Sequence, residues 1–373
     1  MNILIDGRAF TAPTAGISNF LKDSITAWGK LCPSDTLIVA LPRPLHKTFS
    51  RNGLPDNVVL LEQSNALFRR LPNLIWLLLT MPLLARRWKA DIYYTPVPCL
   101  PFLLPRSMKT VIVVHDVVNI EFSKTMQWTN VLANRLFFNR SIKKADIIWT
   151  NSYYTQSKVK QYFPKRRCQD IFTGASINRN VYHPITLTDN QATQILEKYH
   201  IEKDFILFVG SLEPRKNLTF LLSLMPEIYN RKQLQLVVVG GRGWKNSSIR
   251  NIVEDKDFPR ESVVFCGFVN NDELVKLYHL ARCFVSASLN EGFGMPQLEA
   301  LLCGCPIVTA RNSAMTEVAE GKDGATTIEG YDRQTWTDTI IHIAEQRPQV
   351  NLSQLTDYDW DLIVKKLVCV LLP

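Results

Sequence analysis

The sequence lacks several features that would place it in a specialised class. Its eight cysteines form no CxxC pair and lie mostly in apolar runs, which indicates reduced thiols in a cytoplasmic protein. Cys303 and Cys305 have no nearby histidine and make a poor zinc set, so we expect them to pack. The first residues lack the basic and apolar regions of a secretory signal. The longest apolar stretch, residues 71–85, is shorter than the ~20 residues that span a bilayer, so no transmembrane helix is predicted.

Acidic residues are scarce in one half only. Residues 1–182 carry 24 Lys and Arg against 10 Asp and Glu, whereas the remainder carries 19 basic against 24 acidic residues. A basic first half favours anionic lipid, phosphate-bearing acceptors or nucleic acid. The lack of an RNA- or DNA-binding motif and the acidic second half weigh against nucleic acid, which stays as an alternative of another class.

The length and apolar pattern predict two α/β domains. A chain of 373 residues exceeds what one core supports, and 46% hydrophobic with 21% charged residues is typical of globular proteins. Short apolar runs predict buried parallel strands at residues 3–6, 36–40, 58–61, 92–95, 110–116, 147–150, 205–210, 235–240, 263–268, 283–286 and 306–310. We expect doubly wound domains over residues 1–182 and 183–355, a hinge within residues 178–189, and a closing helix over residues 356–373.

A basic pair follows the first strand of the second half. In FILFVGSLEPRKNL, residues 205–218, the strand runs into Gly210 and a short loop that bears Arg215 and Lys216. Two cations at the carboxyl end of a strand can neutralise a diphosphate, Arg through forked hydrogen bonds and Lys as a point charge. The alternative is a solvated basic turn.

Two glutamates flank a glycine-rich loop and a helix start in NEGFGMPQLEALLCGCPIVTA, residues 290–310. The loop glycine Gly294 permits close approach of the backbone to a ligand, and Pro296 is expected at the first helical position. A helix start offers free backbone amides to an anion. Glu291 and Glu299 can then face one ligand as acceptors for sugar hydroxyls; the alternative is a loop charge and a first-turn partner of the helix dipole.

EGFGMPQLE, with a glutamate at each end, resembles the E-x₇-E element of retaining GT-B glycosyltransferases of family 4, and GSLEPRKN resembles their phosphate-binding loop. The resemblance implies a GT-B fold, in which two Rossmann-like domains face a cleft. It further implies that the closing helix, anchored by Trp360, crosses back to the N-terminal domain. A nucleotide-sugar donor is implied with no cofactor, and no metal is demanded, since fixed cations replace it.

The same resemblance implies a role for each matching residue. It assigns His115, Asp116 and Glu291 to catalysis; Gly16, Arg215 and Lys216 to the donor diphosphate; the backbone of Phe293, Gly294 and Met295 to the sugar and phosphate; Glu299 to the ribose; and Phe268 and Val269 to the base. In many members a basic residue follows the strand glycine, where this chain has Ser211. This departure leaves Arg215 and Lys216 with more of the phosphate binding.

The donor and acceptor follow from the same resemblance. GSLEPRKN and the early GIS look most like bacterial mannosyltransferases, so GDP-mannose is favoured over UDP-sugars and dTDP-deoxysugars. A polyprenyl-diphosphate-linked or polysaccharide acceptor at the cytoplasmic face of the inner membrane is expected. Residues 67–89 bracket an apolar stretch with basic residues, which fits either an anionic membrane interface or a core helix with charged ends. Epimerases and phosphorylases of the same fold remain alternatives.

Overall fold

The computed structural model describes residues 1–13, 16–117, 120, 128–241 and 247–371. The chain forms two compact units: Met1–Ile177 together with Tyr358–Pro373, and Asn178–Asp357. The sequence placed these divisions after residues 182 and 355.

The first unit is built on a seven-stranded parallel sheet of order β3-β2-β1-β4-β5-β6-β7. Its strands are β1 (Asn2–Asp6), β2 (Thr36–Leu41), β3 (Val58–Glu62), β4 (Ile92–Thr95), β5 (Lys109–Val114), β6 (Ile147–Thr150) and β7 (Phe172–Thr173). Its helices are α1 (Gly16–Leu31), α2 (Ala66–Arg69), α3 (Asn73–Arg87), α4 (Trp128–Lys144), α5 (Tyr153–Tyr162) and, at the far end of the chain, α13 (Trp360–Leu371). The strand order reverses between β1 and β4, where ligands of such sheets gather.

The second unit repeats this architecture with a six-stranded parallel sheet of order β10-β9-β8-β11-β12-β13. Its strands are β8 (Phe205–Val209), β9 (Gln235–Val239), β10 (Val263–Gly267), β11 (Cys283–Ser286), β12 (Ile307–Ala310) and β13 (Ala325–Ile328). Its helices are α6 (Asp189–Lys198), α7 (Leu218–Lys232), α8 (Ser247–Val253), α9 (Asn271–Leu280), α10 (Met295–Leu302), α11 (Met315–Ala319) and α12 (Arg333–Gln346). Here the order reverses between β8 and β11.

Both sheets are buried by helices on their faces, as continuous apolar strands require. Trp76 and Tyr93 anchor one core in the first unit, and Phe208 and Trp336 anchor one in the second. The prediction of two doubly wound, Rossmann-like units is confirmed. Strand β5 ends at Val114, two residues before the predicted end, and the short strands β7 and β13 were not predicted.

The helix α13 belongs to the first unit, as predicted, and there it packs on α1. The Trp360 ring lies 5.0 Å from the Phe20 ring and 6.2 Å from the Trp149 ring, both measured between centroids. Ile363 packs against the backbone of Gly174, where a Cβ would lie 3.1 Å from its Cγ2 atom. Trp360 is therefore the aromatic anchor of α13.

The basic and apolar stretch 67–89 forms two helices, α2 and α3, rather than one. Trp76 and Leu77 in α3 are buried, so this helix is part of the core on one side. Within the described ranges, no helix combines the length and apolar character needed to cross a membrane.

Candidate functional site

The loops after β8 and β11 meet because these two strands are neighbours in the sheet. The Leu289 backbone N–H donates to the Arg215 carbonyl over 2.7 Å. Arg215 Nη1 donates to the Asn290 carbonyl over 3.2 Å. The loop that follows β11 then enters α10. The basic pair and the glycine-rich loop predicted from the sequence therefore occupy one place, at the switch point of the second sheet.

Arg215, Lys216 and Glu291 form one ion cluster, which is buried at Lys216 and Glu291 and partly exposed at Arg215. Lys216 Nζ donates to Glu291 Oε1 over 2.5 Å, and Arg215 Nη1 donates to Oε2 over 2.9 Å. The side chains of Lys216 and Glu291 are each 11% exposed. Burial acts to raise the pKa of Glu291, but the charges of Lys216 and Arg215 outweigh it, so this pKa lies below its ordinary value. The alternative of a solvated basic turn is wrong for Lys216.

Glycines shape the floor beneath this cluster. The Lys216 stem passes over Gly210, with Cε 3.6 Å from where a Cβ would stand. The backbone of Gly240 approaches so closely that its Cβ would lie 1.9 Å from the Gly210 carbonyl oxygen. Only glycine fits at position 240. The ends of β8 and β9 are joined by the Gly210 backbone N–H, which donates to the Val239 carbonyl over 2.9 Å.

Helix α10 begins one residue earlier than expected, so Pro296 is its second residue rather than its first. Gly294 caps it with φ +96°, a conformation that favours glycine. Met295 is therefore the first helical residue, and Phe293 is buried just before the cap. Pro296 has no N–H, and the Gln297 amide donates to the Gly294 carbonyl over 3.1 Å. The backbone amides of Gly294 and Met295 are therefore the ones that this helix start can offer to an anion.

Glu299 lies on α10, and its carboxyl group is buried against Tyr278. The Tyr278 hydroxyl donates to Glu299 Oε2 over 2.9 Å. Burial raises the pKa of Glu299 to about 7, against the lowering effects of Tyr278, Tyr182 and the Lys216 charge. The carboxyl group is thus poised between its neutral and ionised forms near neutral pH. Neither tyrosine was predicted, because no local pattern marks a side chain that arrives from a distant part of the chain, Tyr278 from α9 and Tyr182 from the segment before α6.

The turn after β10 presents an aromatic side chain next to a buried one. Phe268 is 75% exposed, whereas Val269 is buried. Gly267 has φ +67°, and its carbonyl accepts a hydrogen bond from the Gly240 amide over 2.8 Å. An exposed ring at the carboxyl end of a parallel strand can stack on a planar ligand.

In the first unit, His115 lies one residue beyond β5 and is held at both ring nitrogens. Nε2 donates to the Pro96 carbonyl over 2.8 Å, and Asn151 Nδ2 donates to Nδ1 over 2.8 Å. Burial lowers the pKa of His115 to about 4, so the ring is neutral at pH 7. Asp116 follows it, half-buried. Asn151 was not predicted, although it follows a strand that was.

Gly16 was expected in a loop between the first strand and a helix; it is instead the first residue of α1 and is exposed. Residues 14 and 15, just before it, lie outside the described residues. A buried ion pair at the end of β1 was missed. Arg8 donates from Nε to Asp6 Oδ1 over 2.9 Å and from Nη2 to Asp6 Oδ2 over 2.8 Å. Thr95, at the end of β4, donates to the same carboxylate over 3.1 Å. This pair lies at the switch point of the first sheet, and its signal is a polar residue ending an apolar strand.

The thiols and acidic groups do not assemble a metal centre in the described parts of the chain. All eight cysteines are free, and Cys303 and Cys305 are buried. Burial raises the pKa of both thiols, to about 12 for Cys305. These two cysteines therefore pack as predicted.

A comparison with known protein families matches most of the second unit. Residues 203–346 match the family described as Glycosyl transferases group 1. This part of the chain is therefore similar to a glycosyl transferases group 1 domain. The matched range contains the whole Arg215–Lys216–Glu291 cluster and Glu299, so the site described above lies within it.

One relative is the O-antigen chain mannosyltransferase B of Escherichia coli, which is 29% identical over 238 residues. The match covers 62% of this chain and 60% of that protein, so the chain spans less than two thirds of the length of this relative.

Two solved structures share the fold across nearly the whole chain. Sucrose-phosphate synthase from Thermosynechococcus elongatus has a TM-score of 0.75 at 13% identity, covering 99% of this chain and 97% of that one. Anabaena HepE in complex with UDP and glucose has a TM-score of 0.71 at 16% identity, covering 100% and 99%. At these identities the likeness concerns the fold alone. It confirms the predicted GT-B fold over nearly the whole chain, including the residues that precede the range matched by the family.

Proposed function

We propose that this chain is a retaining glycosyltransferase that moves a hexose from a nucleoside diphosphate sugar to a glycan or lipid-linked acceptor. The observation that carries the proposal is the ion cluster of Lys216, Arg215 and Glu291 beside the start of α10. Two cations and a helix start at a switch point suit a diphosphate. The group 1 domain match supports the same class of reaction.

The chemistry follows from the charges that develop during transfer. Breaking the bond between the anomeric carbon and the diphosphate leaves positive charge on the sugar and negative charge on the departing phosphate. Lys216, Arg215 and the amides at Gly294 and Met295 stabilise that negative charge, because fixed donors in a dry site need no reorganisation. Gly16, the first residue of α1, is proposed to bind the donor diphosphate through its backbone.

Both oxygens of Glu291 already accept hydrogen bonds from cations, so its proposed role is to orient them and to accept a donor-sugar hydroxyl, not to act as a nucleophile. Retention then proceeds by attack on the same face within an ion-pair-like state. Glu299 binds the ribose hydroxyls, and Phe268 with Val269 receives the base. His115, as a neutral ring, and Asp116 line the catalytic side of the first unit.

GDP-mannose is the favoured donor. Support comes from the similarity to a mannosyltransferase of O-antigen chains. The fold is shared with a protein seen in complex with UDP and glucose, so a UDP-sugar is the competing donor. A polyprenyl-diphosphate-linked or polysaccharide acceptor of a bacterial surface glycan is proposed, with the enzyme at the cytoplasmic face of the inner membrane. The basic first half supports contact with an anionic membrane there.

The experiment is a thermal-shift panel of GDP, UDP, GDP-mannose and UDP-glucose, followed by measurement of nucleoside diphosphate released when acceptor is supplied. GDP and GDP-mannose are expected to raise the Tm most. Lys216→Met is expected to abolish this shift, whereas Lys256→Met, at an exposed position, should keep it. If no nucleotide raises the Tm, or if both variants behave alike, the proposal is wrong. Conversion of the donor sugar without transfer would favour an epimerase.

A further inference from the structure

Helix α3 packs one face into the core and carries solvent-exposed apolar side chains on a second face. Trp76, Leu77 and other buried residues point into the core of the first unit. Ile75, Leu79 and Leu83 are 44%, 51% and 56% exposed. A spacing of four residues places these three side chains in one row along the helix. We call this row, Ile75, Leu79 and Leu83, the apolar ridge.

A second apolar projection lies on the same layer of the first unit. Phe102 and Leu103 are 52% and 68% exposed. The Phe102 ring packs against the Phe137 ring at 5.6 Å, and Phe137 packs on the core cluster to which Trp76 also belongs. That cluster covers one face of the sheet, so the apolar ridge and the Phe102–Leu103 projection both belong to the layer over this face. Large apolar side chains grouped in this way mark an interaction surface.

The charged residues of the segment that contains the ridge have a single sign. Between residues 63 and 90 the chain carries five basic residues and no acidic one. The five are Arg69, Arg70, Arg86, Arg87 and Lys89, and all are exposed. In the part of the chain that the structure describes, none of these five residues forms a salt bridge. A further basic residue, Arg140, stacks over the Phe102 ring at 4.3 Å. The guanidinium groups at both ends of α3 therefore keep their charge for an external partner.

We propose that the apolar ridge and the Phe102–Leu103 projection dock on the surface of an anionic lipid bilayer. A helix that exposes a row of Ile and Leu between basic ends can lie in the interface, with its apolar side among the acyl chains and its Arg side chains among the phosphates. At 15 residues α3 is about 22 Å long, enough to lie along the surface and too short to cross. A protein partner with an acidic groove is the competing occupant. The bilayer is favoured because basic residues stand on both sides of the apolar row and no acidic residue lies between residues 63 and 90.

This inference rests on the proposed function for the identity of the membrane and deepens it by assigning the face that meets the lipid. The contact itself concerns only the first unit. Lipid binding can therefore be measured without any transfer reaction, and nucleotide binding can be measured without any lipid.

The test is co-sedimentation of the full chain with vesicles of phosphatidylcholine alone or of phosphatidylcholine with phosphatidylglycerol, at about 0.1 M salt. We expect binding to the anionic vesicles only. Ile75→Ser/Leu79→Ser/Leu83→Ser should weaken it about 10-fold or more, because the apolar insertion is lost. Arg86→Gln/Arg87→Gln should also weaken binding and reduce its dependence on salt.

The matched control is Leu362→Ser/Val370→Ser, which removes two apolar side chains of α13 that are 47% and 49% exposed. It should bind as the unaltered chain does. A thermal shift with GDP, retained in every variant, shows that the fold and the nucleotide site are intact. The proposal is overturned if the unaltered chain ignores anionic vesicles, if the ridge variant binds equally well, or if the control loses as much. Self-association through the ridge in gel filtration, without lipid binding, would assign the face to a protein instead.

Discussion

Replacing Glu291 by Gln removes the negative charge from the centre of the ion cluster while keeping the side-chain shape. In the unaltered chain this carboxylate accepts from Lys216 at 2.5 Å and from Arg215 at 2.9 Å. Arg215 keeps other partners, since it also donates to Glu213 and to the Asn290 carbonyl. Lys216 is 11% exposed and has little access to water. The cost of the substitution therefore falls mainly on Lys216.

The size of this cost follows from the burial of the pair. Removing one partner of a buried ion pair costs about 3–5 kcal/mol, because the other charge is left uncompensated. We expect about 3 kcal/mol, at the lower end of that range, because Arg215 is partly exposed. A unit of this size loses about 2–4 °C per kcal/mol, so its Tm should fall by about 6–12 °C. Adding Lys216→Met removes the stranded charge, so the double variant should be more stable than Glu291→Gln alone.

Differential scanning calorimetry of the four proteins of this cycle, with and without pyrophosphate, measures the effect. The pKa of Glu291 lies below its ordinary 4.5, so its stabilisation is present above that pH and is lost as the pH falls through the lowered value. The difference in Tm between the unaltered chain and Glu291→Gln should accordingly disappear at acid pH. Pyrophosphate should narrow the gap at pH 7, since it offers both cations a new anion. A fall in Tm of under about 2 °C, or a double variant less stable than both single variants, would refute a buried pair.

Three further predictions concern other parts of the molecule. Gly240→Ala should lower the free energy of unfolding by about 4 kcal/mol or more, because its Cβ would lie 1.9 Å from the Gly210 oxygen. Gly241→Ala, with open space around it, should change the Tm little. Equal Tm values for the two variants would contradict the packing at Gly240. With the pKa of Glu299 raised to about 7, its carboxylate forms only as the pH rises, so the affinity for GDP should increase from about pH 6 to about pH 8, and isothermal titration with Glu299→Gln should show a flatter profile. Trp360→Ala should lower the free energy of unfolding by about 3–5 kcal/mol and make α13 sensitive to protease. Unchanged resistance of α13 to protease would show that the Trp360 ring does not anchor this helix.

The sequence predicted the strands well where apolar runs are long and bounded by polar residues. Residues 92–95 and 147–150 were predicted as strands with the bounds that the structure gives. Strand β7 has only two residues, and β13 (Ala325–Ile328) is only partly buried, so neither carries a strong apolar pattern. Their place at the edges of the sheets depends on partners that local sequence does not specify.

The candidate site was predicted in its residues but not in its contacts. Arg215, Lys216 and Glu291 were all singled out, yet their pairing depends on β8 lying beside β11, which is a property of strand order. The same applies to Tyr278, which reaches Glu299 from α9. The sequence could not say which face of α3 meets the core, because apolar residues occupy most positions of that helix.

The order of the chain has a consequence for how the protein is assembled. The first unit needs α13, which occupies residues 360–371, so its packing against Phe20 and Trp149 cannot form until synthesis has passed the whole second unit. The second unit, residues 178–357, is complete earlier. During synthesis the first unit therefore emerges before the helix that covers its aromatic side chains. A pause or a cleavage shortly before Trp360 would leave those side chains exposed and prone to aggregation.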